Sequence, residues 1–116
     1  MATIRDVHGH IDALVLNAGI SEPAPLANIT TDHFDRHFAV NVRGAVYGLK
    51  SAIDALRDGS SVVLMGSVAG SISVSGYGTY AATKAALRST LVLGQRSWHH
   101  GAFARTWLRQ AQPTRR

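Results

Sequence analysis

Two rhythms of apolar positions run along the first ninety residues of the chain. Ile11 to Leu16 reads IDALVL, a short apolar run that ends in the turn signal Asn17-Ala18-Gly19. A run of this length with polar and glycine punctuation predicts a strand buried on both faces, as in a parallel sheet. The rhythm then changes. Phe34, Phe38, Val42, Ala45, Val46, Leu49, Ile53 and Leu56 recur every three or four positions, which predicts one long helix packed on the sheet. Thr30, Thr31 and Asp32 are its N-cap candidates, and Asp58-Gly59 is its predicted end. Gly44 and Gly48 within it weaken the helix locally but permit close packing. Ser61 to Met65 (SVVLM) predicts a second strand, Gly66 to Gly78 a small-residue loop, and Tyr80 to Leu91 a second helix. Strand, helix, strand, helix is the order of right-handed βαβ units, so the fold class is α/β with a parallel sheet and outer helices.

Composition changes this picture at one place. With 116 residues, 46% apolar and 16% charged, the chain suits one folded domain rather than a disordered segment. It has no cysteine, which excludes a disulfide framework and thiolate metal sites. No apolar run is long enough for a membrane span, and MATIRDVHGH lacks the apolar core of a secretory signal, so a cytoplasmic location is expected. The net charge of +5 is unevenly spread. Residues 1–89 hold seven Lys/Arg and seven Asp/Glu, whereas residues 90–116 hold five Arg and no acid, together with Trp98 and Trp107. The two parts are therefore read separately.

The first part carries candidate chemistry. In parallel sheets ligands bind beyond the carboxyl ends of the strands, where Asn17-Ala18-Gly19 and Gly66-Ser67 lie. Tyr80 and Lys84, four apart, share one helix face. A positive charge beside a phenol favours phenolate, and a phenol so tuned can move a proton in general acid-base catalysis. A serine hydroxyl at the same spot could hold a carbonyl or alcohol oxygen. Taken singly, each motif is ordinary. Asn-Ala-Gly is a common turn, and a lone Tyr-x-x-x-Lys arises often by chance. The order is less ordinary. Asn41 lies 24 residues after Asn17, Ser67 ends the second strand, and Tyr80 follows Ser67 by 13 positions. The remaining histidines are read as solvated or helix-surface residues, and the adjacent pair His99-His100 does not share a helix face, so no metal site is expected.

From about Gly9 to Ser89, the blocks IDALVLNAGI, FAVNVRGAVYGLKSA and SVVLMGSVAG…YGTYAATKAALRS closely resemble the short-chain dehydrogenase/reductase family of NAD(P)-dependent oxidoreductases. The resemblance implies a fragment of a Rossmann-like, doubly wound parallel sheet. It implies hydride transfer between NAD or NADP and a small alcohol or carbonyl substrate. It makes Tyr80 the catalytic acid/base and has Lys84 lower the Tyr80 pKa and hold the nicotinamide ribose. Ser67 would polarise the substrate oxygen, and Asn41 would position a water that relays protons from Lys84. Asn17, Ala18 and Gly19 would support the central sheet and pass close to the cofactor, as would Tyr80 and Lys84. Tyr77 is a neighbouring phenol, but Ala81 stands where its lysine would be. Leu16 and Gly66 depart mildly from the usual pattern. The resemblance also implies association of copies through the 32–57 helix.

Two features depart further. The family's opening strand and glycine-rich turn Thr-Gly-x-x-x-Gly-x-Gly do not occur in these residues, which start near the end of the family's third helix. Half of the cofactor site is then expected to be lacking, with little or no turnover from these residues alone. After Ser89 the resemblance stops. Thr90-Leu91-Val92-Leu93-Gly94 can be read from codons of the family's Tyr-Ala-Arg-Thr-Trp displaced by one base, and the compatibility extends through Ala111 except at one variable residue. Residues 90–116 are therefore expected to be an out-of-frame basic tail. The alternatives are a non-catalytic remnant that associates with intact relatives, and a basic tail that binds nucleic acid through phosphate charge and stacking.

Overall fold

A computed structural model describes residues 2–72, 74–97 and 103–109 of the chain. Helix α1 (Ala2–His8) closes at Gly9, whose positive φ of 78° suits the left-handed turn after a helix; its N–H reaches Arg5 O at 2.8 Å. Strand β1 (Ile11–Leu16) follows as predicted. It is covered on one face rather than two. Leu14 and Leu16 are half-buried against the core, whereas Val15 is 58% exposed.

The long apolar stripe forms a helical run with interruptions. Helix α2 (Thr31–Phe38) starts at Thr30, whose hydroxyl accepts the His33 N–H at 3.1 Å. A π-helical turn at Ala39–Arg43 leads into α3 (Gly44–Ala52), and a 3-10 turn at Ile53–Ala55 ends the run. The stripe is only partly core: Ala45 and Leu49 are buried, but Phe34 and Ile53 stay largely exposed. Close packing falls on Gly48, where a Cβ would stand 3.2 Å from Leu16 Cδ2. Asp58-Gly59 is not the helix end. Strand β2 (Leu56–Ser67) has already begun, and the pair lies in its irregular first stretch, where Gly59 takes a φ of 82°. Register with β1 jumps there, from Ile11↔Leu56 to Ala13↔Ser61, and the Ser60 hydroxyl donates to Ile11 O at 2.7 Å.

A 3-10 turn (Val68–Gly70) and a loop connect β2 to α4 (Gly78–Ser97), which runs past the predicted end near Leu91. Strand β3 (Phe103–Arg109) then pairs with β2. Among the described residues both pairings are parallel and the order is β1-β2-β3, so β2 has a neighbour on each side, and β3 is a third strand beyond the two that the apolar spacing predicts. The core is Ala45, Leu49, Val62, Leu64 and Leu87, joined by Leu14, Leu16 and Leu56. Burying a side chain of the size of Val62 or Leu64 stabilises by about 1.5–3 kcal/mol each. Among the described residues, no helix is long and apolar enough to cross a membrane. Trp98, His99 and His100 lie outside the described residues.

Candidate active site

The carboxyl ends of β1 and β2 and the first turns of α4 enclose a cavity of about 140 Å³, lined by Asn17, Gly19, Ile20, Ser21, Met65, Gly66, Tyr80 and Lys84. Parallel strands point their carboxyl ends the same way, so the two loops that follow meet there. Tyr80 and Lys84 share a face of α4, with the Lys84 Nζ 5.6 Å from the centre of the Tyr80 ring. The ammonium donates to Met65 O at 3.0 Å. Lys84 is 7% exposed, and burial pushes its pKa down from the ordinary lysine value.

Asn41 stands at the centre of the π-helical turn and is fully buried. Its Oδ1 accepts the Ile20 N–H at 2.7 Å, and its Nδ2 donates to Ile20 O at 2.9 Å and to Thr83 Oγ1 at 3.0 Å. The Thr83 hydroxyl in turn donates a hydrogen bond to Tyr80 O at 2.7 Å. One amide side chain thus ties the loop after β1 to the helix that carries Tyr80 and Lys84. Both its donors and one Oδ1 lone pair are spent on protein, which leaves the second lone pair of Oδ1 for anything else. A Cβ on Gly19 would lie 3.4 Å from both Asn41 Oδ1 and Lys84 Nζ, so the missing side chain keeps both polar atoms bordering open space.

The sequence-predicted residues therefore divide. Asn17, Gly19, Tyr80 and Lys84 line one cavity, with Asn41 directly behind Gly19. Ala18 is exposed and is not part of the wall. Ser67 is 2% exposed, follows the lining residue Gly66, and its Oγ accepts the Ala69 N–H at 3.2 Å, which leaves the hydroxyl proton free to donate. Tyr77 is not in the wall; it precedes α4, where its O accepts the Ala81 N–H at 2.8 Å.

Sequence reasoning missed a second set of residues. His37 is fully buried and His33 is half-buried, which corrects their reading as solvated surface positions. Glu22, one residue beyond the lining Ser21, donates its N–H to His37 Nε2 at 3.1 Å. Its carboxylate takes both guanidinium nitrogens of Arg36, at 2.7 and 2.8 Å, and this partner holds its pKa below the usual carboxylate value. The available signal was spacing: His33, His37 and Asn41 are successive fourth residues on one helical run.

The geometry can be set beside known proteins. The family model described as enoyl-(acyl carrier protein) reductase matches residues 1–93. The chain is 37% identical over 92 residues to the sorbitol dehydrogenase of Cereibacter sphaeroides, covering 77% of this chain and 36% of that protein. Among solved structures it is similar to a glucose/ribitol dehydrogenase of the short-chain dehydrogenase/reductase type from Brucella melitensis. That match has a TM-score of 0.89 and 28% identity, over 94% of this chain and 46% of the other. It is also similar to the NADH-dependent reductase A1-R' complexed with NAD, with a TM-score of 0.87 and 26% identity, over 95% of this chain and 50% of the other. The chain thus spans about a third of the length of that curated relative and about half of the solved chains.

Proposed function

Because the chain belongs to the short-chain dehydrogenase/reductase family, we propose that its cavity is the nicotinamide end of an NAD- or NADP-dependent site for oxidation of an alcohol or reduction of a carbonyl. The observation that carries this reading is the Tyr80–Lys84 pair facing one cavity beside a bare Gly19 backbone. The residues fit one end of such a cofactor. A Cβ on Gly19 would fill the space in front of the Lys84 ammonium, and a volume of about 140 Å³ is too small for a whole dinucleotide. When bound, the cofactor supplies or accepts the hydride.

The chain's own groups handle binding and protons. Lys84, fixed by Met65 O, has further N–H groups to give to a ribose hydroxyl. Its charge stabilises the anion that Tyr80 becomes after donating its proton to the substrate oxygen. Ser67 is assigned to hold that oxygen with its free hydroxyl proton, and Asn41 to position a proton-relaying water with the spare lone pair of its Oδ1. Asn17, Ala18 and Gly19 carry the backbone that passes the cofactor. Catalysis of this kind needs reactants held at contact distance.

The 116 residues by themselves contain no glycine-rich turn between a strand and a helix ahead of β1, so we assign little or no turnover to them alone. Phe34, Tyr47 and Ile53, 45%, 60% and 48% exposed on the 32–57 segment, support association between copies through it. Residues 90–116 are assigned to a shifted reading frame. Restoring one base near codon 90 of the coding DNA is expected to recover Asn-Val-Ala-Ser-Pro-Gly.

Nicotinamide mononucleotide is the probe that tests the site. Titrated into ¹⁵N-labelled chain, it is expected to shift the amides of Gly19, Ile20 and Lys84, and Lys84→Met is expected to remove the response. No shift at these residues would refute the nicotinamide reading. Saturable NADH or NADPH fluorescence enhancement at micromolar cofactor, with turnover of an alcohol, would refute the assignment of inactivity to the chain alone.

A further inference from the structure

The wall of the cavity formed by Ile20 and Ser21 belongs to a loop whose main chain is held at Ile20 and Glu22 by side chains of one helical run, and at Ala24 by its N–H, which donates to Gly76 O at 2.8 Å. Asn41 takes the N–H and the C=O of Ile20. One turn earlier, His37 Nε2 takes the Glu22 N–H at 3.1 Å. One turn earlier again, His33 Nε2 meets Glu22 O at 3.0 Å. Between them Arg36 grips the Glu22 carboxylate through both oxygens.

The hydrogen-bond roles fix the state of each ring. A backbone N–H can only donate, so His37 Nε2 must be an unprotonated acceptor. His37 Nδ1 lies 2.7 Å from His33 O, a carbonyl that can only accept, so Nδ1 carries the proton. His37 is therefore the neutral Nδ1–H tautomer, with both ring nitrogens engaged and the side chain fully buried. His33 must donate from Nε2, because Glu22 O is also a carbonyl. The two rings lie against each other with centroids 4.2 Å apart.

We propose that His33, Arg36 and His37 form a clamp on Glu22 that positions the Ile20–Ser21 wall of the cavity, with His37 as the principal positioning residue. Asn41 alone fixes one residue of this loop, and a single anchored peptide can still pivot. Anchoring Glu22 two residues on, through its N–H, its C=O and its carboxylate, removes that freedom and sets where the Ile20 and Ser21 surfaces face the cavity. This role rests on the reading of the cavity as a nicotinamide site only for its consequence in binding; the clamp itself is a property of the loop.

The test uses the full chain, ¹⁵N-labelled, at one neutral pH. The ring nitrogen spectrum of His37 is expected to show the Nδ1–H tautomer with an unprotonated Nε2. His37→Leu is expected to move the amides of Ile20, Ser21 and Glu22, and His37→Gln, which restores an acceptor, to return them toward their wild-type positions. In the nicotinamide mononucleotide titration, His37→Leu should weaken binding roughly five- to tenfold, the scale of one lost hydrogen bond, and His37→Gln should recover most of it. An Nε2–H tautomer in the wild-type chain overturns the proposal even if neither variant folds. So do unmoved loop amides in a folded His37→Leu chain, or a His37→Gln chain that behaves like the leucine variant. If the wild-type chain binds no nicotinamide mononucleotide, the nicotinamide reading fails, while the tautomer and the amides still decide the clamp.

Discussion

Gly70→Ala places a methyl group where the backbone of α4 already sits. A Cβ built on Gly70 falls 3.1 Å from Ala85 N, 3.1 Å from the Lys84 carbonyl carbon and 3.2 Å from Lys84 Cβ. Two of these are main-chain atoms of a helix, so relief needs a shift of α4 rather than a change of rotamer. Gly70 has no positive φ, so the backbone conformation itself admits alanine. Two effects then oppose each other. Alanine reduces the freedom of the unfolded chain, which stabilises by about 0.4–1 kcal/mol. Overpacking against an element that cannot turn aside costs about 1–3 kcal/mol. The second wins, with a net loss of about 1–2 kcal/mol, and the melting temperature should fall by roughly 4–8 °C. Gly44→Ala is the control. It starts α3, its nearest new neighbour is Ala39 O at 3.6 Å, and it should stabilise by about 0.5–1 kcal/mol. Reversible thermal and urea melts of the three chains measure both. Gly70→Ala as stable as wild type, with Gly44→Ala behaving as stated, would refute the van der Waals contact between the turn after β2 and the backbone of α4 at Lys84.

Asn41→Leu keeps the branched shape, adds volume at a buried position and strips the Ile20 N–H and C=O of their partner. At about 1–3 kcal/mol for each buried group left unpaired, it should cost about 2–6 kcal/mol, read as a lower urea midpoint at unchanged m-value. Lys84→Met should change how stability depends on pH. Burial holds the folded-state pKa of Lys84 below its ordinary 10.5, so between those two values the unfolded chain binds more protons and stability rises with pH. The methionine variant lacks that rise, so its stability relative to wild type should be greatest below the interval and fall across it. Parallel alkaline profiles would contradict the direction of the shift. Tyr80→Phe keeps the ring beside Lys84 and should leave nicotinamide mononucleotide binding within about twofold, the scale of a weak hydrogen bond at most.

Some of this was legible in the sequence because burial writes itself as apolar spacing. IDALVL and SVVLM predicted β1 and the second half of β2, and Thr30 was a cap candidate before it was a cap. Tyr80 and Lys84 share a face because helical periodicity requires it, and Asn17 and Gly19 reach them because parallel strands end together. The errors have physical causes. Asp58-Gly59 looked like a helix stop, since glycine with positive φ serves a strand irregularity as well as a C-cap. The uninterrupted helix missed the π-helical turn at Ala39–Arg43, because an extra residue in a turn shifts the apolar stripe too little to be read from composition.

His33 and His37 were lost for a different reason. A polar residue every fourth position beside an apolar stripe is the pattern of a wetted face, and the sequence gives no sign of what lies opposite. Here the opposite surface is the main chain of a loop, not water and not a side chain. A loop that lines a cavity cannot satisfy its own peptide groups through a sheet or helix ladder, so it must borrow donors and acceptors from a neighbour. The borrowed side chains must be polar, buried and spaced by the rise of the helix that carries them. Asn41 was recognised as more than surface through its order relative to the other motifs, whereas the histidines upstream had no such company. The same helix face does both jobs: Asn41 and His37 grip peptides two residues apart, and Ser21 of the cavity wall lies between their grips.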